Sequence, residues 1–193
     1  MKDQIEKYTG KLLADRSACP DGIAFAAQDD TLIASGAPEL ARLAGATLAH
    51  LNSLGLVVAR PSLPFADFLV ARAPAGGSAI VPQDTETRTF LHDIPFLRRK
   101  DLPQDPAGEI ARLLANRKGV IVEGVGIVAV GAITVEQAFI NYSSVFHSTF
   151  VKYLQDILTD GFLLPGEMEA FQIFRHGWLK PLSAEGLIFR GKL

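Results

Sequence analysis

The sequence predicts an α/β fold: a three-layer α/β/α arrangement around a central, mostly antiparallel sheet. Two observations lead there. Short apolar runs bounded by turn residues alternate with longer stretches of helical periodicity, and those helical stretches open on a recognisable cap or proline. At 193 residues, 48% of them hydrophobic, the chain is long enough to bury one substantial core, and a single domain over 1–193 is expected.

The elements follow in order. The opening MKDQIEKYTG is charged and helix-like. IAFAAQDDTLIASG carries two short apolar runs around Asp29-Asp30, which suits a hairpin or two linked strands. In the stretch that follows, Pro38 sits at a first helical position and Glu39 complements the helix dipole. Leu40, Leu43, Ala44, Thr47, Leu48 and Leu51 then recur at helical spacing until Gly55. LVVAR reads as a buried strand, PSLPFADFLVARA as a strand or short helix, and SAIVP as another strand. QDTETRTFLHDIPFLRRKDLPQ is polar and punctuated by proline, so it reads mostly as loop. Asp105-Pro106 opens a helix to about Asn116, GVIVEG and GIVAVG are strands, and Thr134 with Gln137 forms a capping box for a long last helix. Its apolar stripe runs from Val135 through Phe139, Tyr142 and Phe146 to Leu158.

Composition narrows the function classes. Nineteen Lys and Arg stand against 21 Asp and Glu, and no basic stripe carries interleaved aromatics, so nucleic acid is not an expected partner. The lone Cys19 excludes an internal disulfide and a cysteine-based zinc site. No apolar run approaches the ~18 residues of a membrane span and the start has no apolar signal region, so a cytoplasmic protein without a membrane partner is expected.

VEGVGIVAVGAITVEQAF, residues 122–139, is the most patterned stretch. Its glycines do not fit a dinucleotide loop: Gly124-Val125-Gly126 is followed by a strand, not a helix, and Gly131 falls outside the required spacing. No G-K-[ST] phosphate loop occurs. One alternative is that these glycines shape a tight bend between strands, which glycine does by tolerating positive φ.

The same stretch, with the helix after it, resembles the carboxy-terminal signature of the class II aldolase/adducin family. Gly126, Gly131 and the TVEQAF helix start match it, and upstream the APE of 37–39 and GLVVARP resemble the family's SSE helix start and histidine-bearing strand. The resemblance covers roughly 23–158 and leaves 160–193 as a carboxy-terminal extension. It implies a class II aldolase-like fold, a lyase of aldehyde-lyase type, a homo-oligomer such as a cyclic tetramer, and Glu39 as the acid/base carboxylate. The family's three metal-ligating histidines, however, fall at Val58, Arg60 and Val125. Valine has no lone pair and arginine is a permanent cation, so zinc is not expected there and no cofactor is assigned. The family's glycine-asparagine phosphate motif is also absent.

The middle segment offers another cluster. Asp84, Glu86, Arg88, His92 and Asp93 fall within ten residues, and in an extended stretch Asp84, Glu86 and Arg88 share one face. These groups suit a small polar or acidic ligand, with Arg88 and Arg60 as anion clamps and His92 or Glu39 moving protons. They equally suit a salt-bridged loop or a subunit contact. Two functions therefore stand: a divergent lyase or metabolite-binding protein without the family zinc, or a metal-free, adducin-like assembly module. His50 reads as a helix-end cation, His147 as a helix-contact or cleft residue, and His176 belongs to an aromatic tail (Phe171, Phe174, Trp178, Phe189) expected to dock on the core or a neighbouring subunit.

Overall fold

The computed structural model describes residues 1–179. Seven strands form one sheet in the order β2-β1-β3-β7-β6-β5-β4. The strands are β1 (Ile23–Gln28), β2 (Leu32–Gly36), β3 (Gly55–Ala59), β4 (Ala79–Ile80), β5 (Ile94–Leu97), β6 (Gly119–Val122) and β7 (Gly126–Gly131). Every pairing is antiparallel except β5 with β6. The helices are α1 (Lys2–Ala14), α2 (Pro38–Ala49), α3 (Phe65–Arg72), α4 (Thr85–Leu91), α5 (Pro106–Leu114), α6 (Val135–Asp160) and α7 (Glu167–Phe174).

Both faces of the sheet are covered, so its central strands are apolar at every position and alternation decides only which layer each residue joins. Phe25, Val57, Ala59, Ile121, Ile127 and Ala129 face a core completed by α1, α3 and α6. Ala24, Leu56, Val58, Val120, Val122 and Val128 face a second core closed by Leu40, Ala44 and Leu48 of α2 and Ile110 and Leu114 of α5. Tyr8 of α1 stacks on Phe139 of α6 with ring centroids 5.0 Å apart. Among the described residues no helix is long and apolar enough to cross a membrane.

Most expected elements stand: the hairpin β1–β2, α2 with Pro38 in its first turn, α5 capped by Asp105, and α6 capped by Thr134. Gln137 completes the last cap by accepting from Ile133 N–H at 3.1 Å, one residue earlier than a standard box. PSLPFADFLVARA settles as the helix α3. The reading of 83–104 as mostly loop is corrected. Residues 85–91 are helical, 94–97 pair in the sheet, and 99–101 make a 3₁₀ turn. Asp84 starts α4 by accepting from the Thr87 N–H at 2.8 Å. Asp84, Glu86 and Arg88 consequently do not line up on an extended face, because residues two apart on a helix point in different directions. In the tail, Phe174 is buried and meets Phe150 edge-on at 5.6 Å, whereas Phe189 and the side chain of Trp178 lie outside the described residues.

Candidate functional site

The register defines the two ends of the sheet. Ile23, Ala59, Ile127, Ile121 and Phe96 form one row across five strands. Just beyond it, at what we call the upper end, lie Arg60 after β3, the turn 123–125 between β6 and β7, and Arg98–Lys100 after β5. The start of α2 joins them, because Ala37 N–H bonds the Ile23 carbonyl at 2.9 Å. Glu39 and Arg60 therefore share this end. His92 and Asp93 precede β5, so they stand at the lower end with Asp84, Glu86 and Arg88 of the adjoining α4. The structure splits the sequence-derived residues into two groups.

At the upper end the β6–β7 turn is held from both sides. Gly124, at φ +78°, donates its N–H to Asp67 Oδ1 of α3 at 2.9 Å. Glu123 accepts from the Arg99 N–H at 2.8 Å. Gly126 answers why the stretch is rich in glycine: its φ is +128°, and a Cβ there would lie 2.5 Å from the Ala59 carbonyl and 2.9 Å from Arg60 Cα. Arg60 has its backbone tied to the 19–22 segment, accepting from Cys19 N–H and donating to the Gly22 carbonyl, both at 2.8 Å, while the residue is exposed.

The charges here are unequal in freedom. Arg98 donates to the carbonyls of Val70, Ala73 and Pro74 and lies over the Phe96 ring, so it closes the end of α3. Arg99 and Lys100 are exposed, and with Ala71 and Glu123 they border a cavity of about 550 Å³. Burial pushes the Asp67 carboxyl above its ordinary range; the Gly124 N–H opposes this, Glu123 adds to it, and the nearby Arg60 charge opposes it again. Glu39 is exposed, 4.0 Å from Arg42, a surface pair of little energetic weight.

The resemblance implies zinc at this end, and the residues do not fit it. Val58 is fully buried in the apolar core under α2 and α5, and half-buried Val125 packs against that same core. Neither offers a donor atom, and Arg60 adds positive charge where a cation would sit. No group of three or more His, Cys, Asp or Glu side chains among the described residues is arranged to hold a metal, at the lower end included.

The lower-end residues are mostly engaged with the protein. Asp84 bonds both the N–H and the hydroxyl of Thr87; burial pulls its carboxyl up, but the two Thr87 bonds outweigh that and hold it below its ordinary range, with His147 assisting. Asp93 pairs with Arg117. Glu86 and Arg88 are exposed. His50 ends α2, as its position implied. Sequence reasoning missed Asp67, Glu123 and Arg99. Asp67 sat in a segment left open between strand and helix, and Arg99 in one taken for loop. The one available signal was the Arg98-Arg99-Lys100 triplet itself.

No protein-family model matches the chain, and no curated protein matches it. Solved structures do. L-fuculose-1-phosphate aldolase from Thermus thermophilus superposes with a TM-score of 0.68 at 15% identity, over 82% of this chain and 96% of that one. L-fuculose 1-phosphate aldolase from Glaciozyma antarctica gives 0.57 at 14%, over 91% and 80%. An aldolase II superfamily protein from Pseudomonas syringae gives 0.57 at 11%, over 97% and 94%. The chain thus has the fold of the class II aldolase superfamily. At these identities the likeness carries the fold alone.

Proposed function

We propose that the chain binds a small anionic metabolite at the upper end of the sheet, as a metal-free binding protein or aldolase-type lyase. Arg60 carries the reading. It stands at one of the three positions where the family resemblance expects a metal ligand, and the other two are valines, Val58 fully buried and Val125 half-buried against the same core. A guanidinium there is a fixed cation with five donors, suited to a carboxylate or phosphate where a zinc-using relative would present the metal. Arg99 and Lys100 extend the positive charge along the adjoining cavity. Asp67, whose carboxyl burial makes less acidic, faces Arg60 and is the group best suited to hold or release a proton there. Glu39 is the second candidate on the same end.

Calorimetric titration with glycolate and with inorganic phosphate tests this, on protein dialysed against chelator and analysed for zinc. The expected result is well under one zinc per chain, an unchanged melting temperature after chelation, and anion binding weakened about tenfold or more in Arg60→Met, which corresponds to about 1.4 kcal/mol. Stoichiometric zinc that survives dialysis, or binding indifferent to Arg60→Met, overturns it.

The second reading, a homo-oligomeric assembly module of the adducin kind, is favoured by one observation. Leu158, Leu163, Met168 and Ile173, all between the end of α6 and α7, are 86%, 61%, 52% and 74% exposed. Apolar surface of that kind is commonly buried against another chain. Light scattering that gives a tetramer in wild type and a smaller species in Leu158→Glu/Ile173→Glu supports it; a monomer in both rejects it.

A further inference from the structure

At the lower end of the sheet a second cavity, of about 470 Å³, opens between the Asn52–Ser53 bend, the turn after α4, the 116–118 loop and the first turns of α6. Its wall is chemically unbalanced. Lys118 is half-buried and donates to the Phe90 carbonyl at 2.6 Å, with its ammonium 3.2 Å from the centre of the Phe90 ring. Among the described residues no carboxylate pairs with it, because its neighbour Arg117 takes Asp93. An ammonium has three donors, and one neutral carbonyl occupies only one of them. Burial accordingly lowers the Lys118 pKa with nothing to counter it.

Opposite charge is missing on one side and a donor is missing on the other. Asn141 is 4% exposed and gives its Nδ2 to the Val130 carbonyl at 2.6 Å, while its Oδ1 receives no bond from any described residue. Asn141 borders the cavity, so that oxygen is open to a donor from a bound molecule or from water. His92 completes the wall. Its backbone, at φ 64° and ψ −76°, forms a γ-turn closed by the Asp93 N–H on the Leu91 carbonyl at 2.9 Å. That conformation is rare for any residue but glycine, yet a histidine occupies it at the cavity wall.

We propose that this cavity is a binding site for a small hydroxylated anion, separate from the upper-end site. Its carboxylate or phosphate group pairs with Lys118 and His92, and its hydroxyl group donates to Asn141 Oδ1. The ligand class follows from the wall: a cation lacking a counter-charge suits an anion, and an open amide acceptor on the same wall suits a hydroxyl beside it.

The test uses the whole chain, ¹⁵N-labelled, titrated with glycerate and with glycerol 3-phosphate at constant ionic strength; the two probes separate a carboxylate ligand from a phosphate ligand. The expected result is saturable shifts at Lys118 and at the Asn141 side-chain amide for at least one probe. Lys118→Met should weaken that binding about tenfold or more while melting at the same or a higher temperature, since it removes a charge that the fold leaves unpaired. Lys118→Arg should retain part of the affinity. His92→Gly should bind more weakly yet melt higher, because glycine adopts the turn without strain. Arg60→Met should leave these shifts unchanged, which keeps this site independent of the upper-end reading. Binding unaltered in Lys118→Met overturns the proposal. So does a fall of several degrees in the melting temperature of Lys118→Met, which would mark the lysine as a structural prop, and so do shifts confined to the Arg60 end with both probes.

Discussion

Asp67 and Gly126 show how much one position can decide at the upper end. Burial is the main reason that the Asp67 carboxyl titrates above its ordinary value, so folding favours its neutral form. That contribution is fully present below the unfolded value near ~3.9 and is lost as pH rises through the folded value. Asp67→Asn keeps an oxygen for the Gly124 N–H and removes the ionisation. It should melt at the same or a higher temperature at pH 7, with a flatter stability profile in the window just above pH ~4. A melting temperature clearly below wild type at pH 7 would mean that the ionised carboxylate, through Arg60, stabilises the fold. Gly126 works by exclusion. A methyl group 2.5 Å from the Ala59 carbonyl, on a backbone at φ +128°, combines strain with overpacking, and Gly126→Ala should cost about 3 kcal/mol or more in denaturant unfolding.

Elements were legible in the sequence where a cap and a periodic stripe agreed. α2, α5 and α6 start at Pro38, Asp105-Pro106 and Thr134 with their apolar faces in phase, and each start was readable to within a residue or two, although α2 stops at Ala49, short of the expected Gly55. α4 and β5 were hidden because their local signals conflict. Thr85, Thr87 and Thr89 lower helix propensity, and Pro95 breaks the strand pattern that Ile94, Phe96 and Leu97 would otherwise make. Tertiary pairing places β5 through its parallel ladder with β6, whereas α4 starts at the local cap that Asp84 makes. Because that cap is α4's main local start signal, Asp84→Ala should destabilise the protein by about 1 kcal/mol. The carboxylate form makes the cap, and its pKa is lowered in the fold by the Thr87 bonds that outweigh burial. The contribution is therefore present above the unfolded value and fades as pH falls through the folded one. Equal stability of wild type and Asp84→Ala at pH 7 would refute this.

At the scale of the whole molecule, sequence proximity misleads. Glu39, Arg60 and His92 were grouped as one candidate site, yet the strand order sends the first two to one end of the sheet and the third to the other, and no periodicity in a single sequence encodes strand order. The same holds for what fastens the segment after α6. Arg72 of α3 and Glu167 of α7 are 95 positions apart, with side chains 7% and 0% exposed. Arg72 donates Nε to Oε1 at 2.9 Å and Nη2 to Oε2 at 2.8 Å, and gives Nη2 also to the Gly161 carbonyl at 2.7 Å. Glu167 further accepts from the N–H groups of Leu163 and Leu164 at 2.9 and 3.1 Å. Each charge is thus both paired and hydrogen-bonded, which is the condition under which a buried pair is tolerated. Glu167→Gln leaves Arg72 buried without its counter-charge, and should cost about 3–5 kcal/mol, a fall of roughly 6–20 °C in melting temperature for a chain of this size. Arg72→Met should cost a similar amount by stranding the carboxylate. Arg72→Met combined with Glu167→Leu removes both charges and should recover most of the loss, because the pair's large cost on breaking is the cost of one orphaned ion. If the double variant instead loses the sum of the two single losses, the residues act independently, and the ion pair is not what holds α7 against α3.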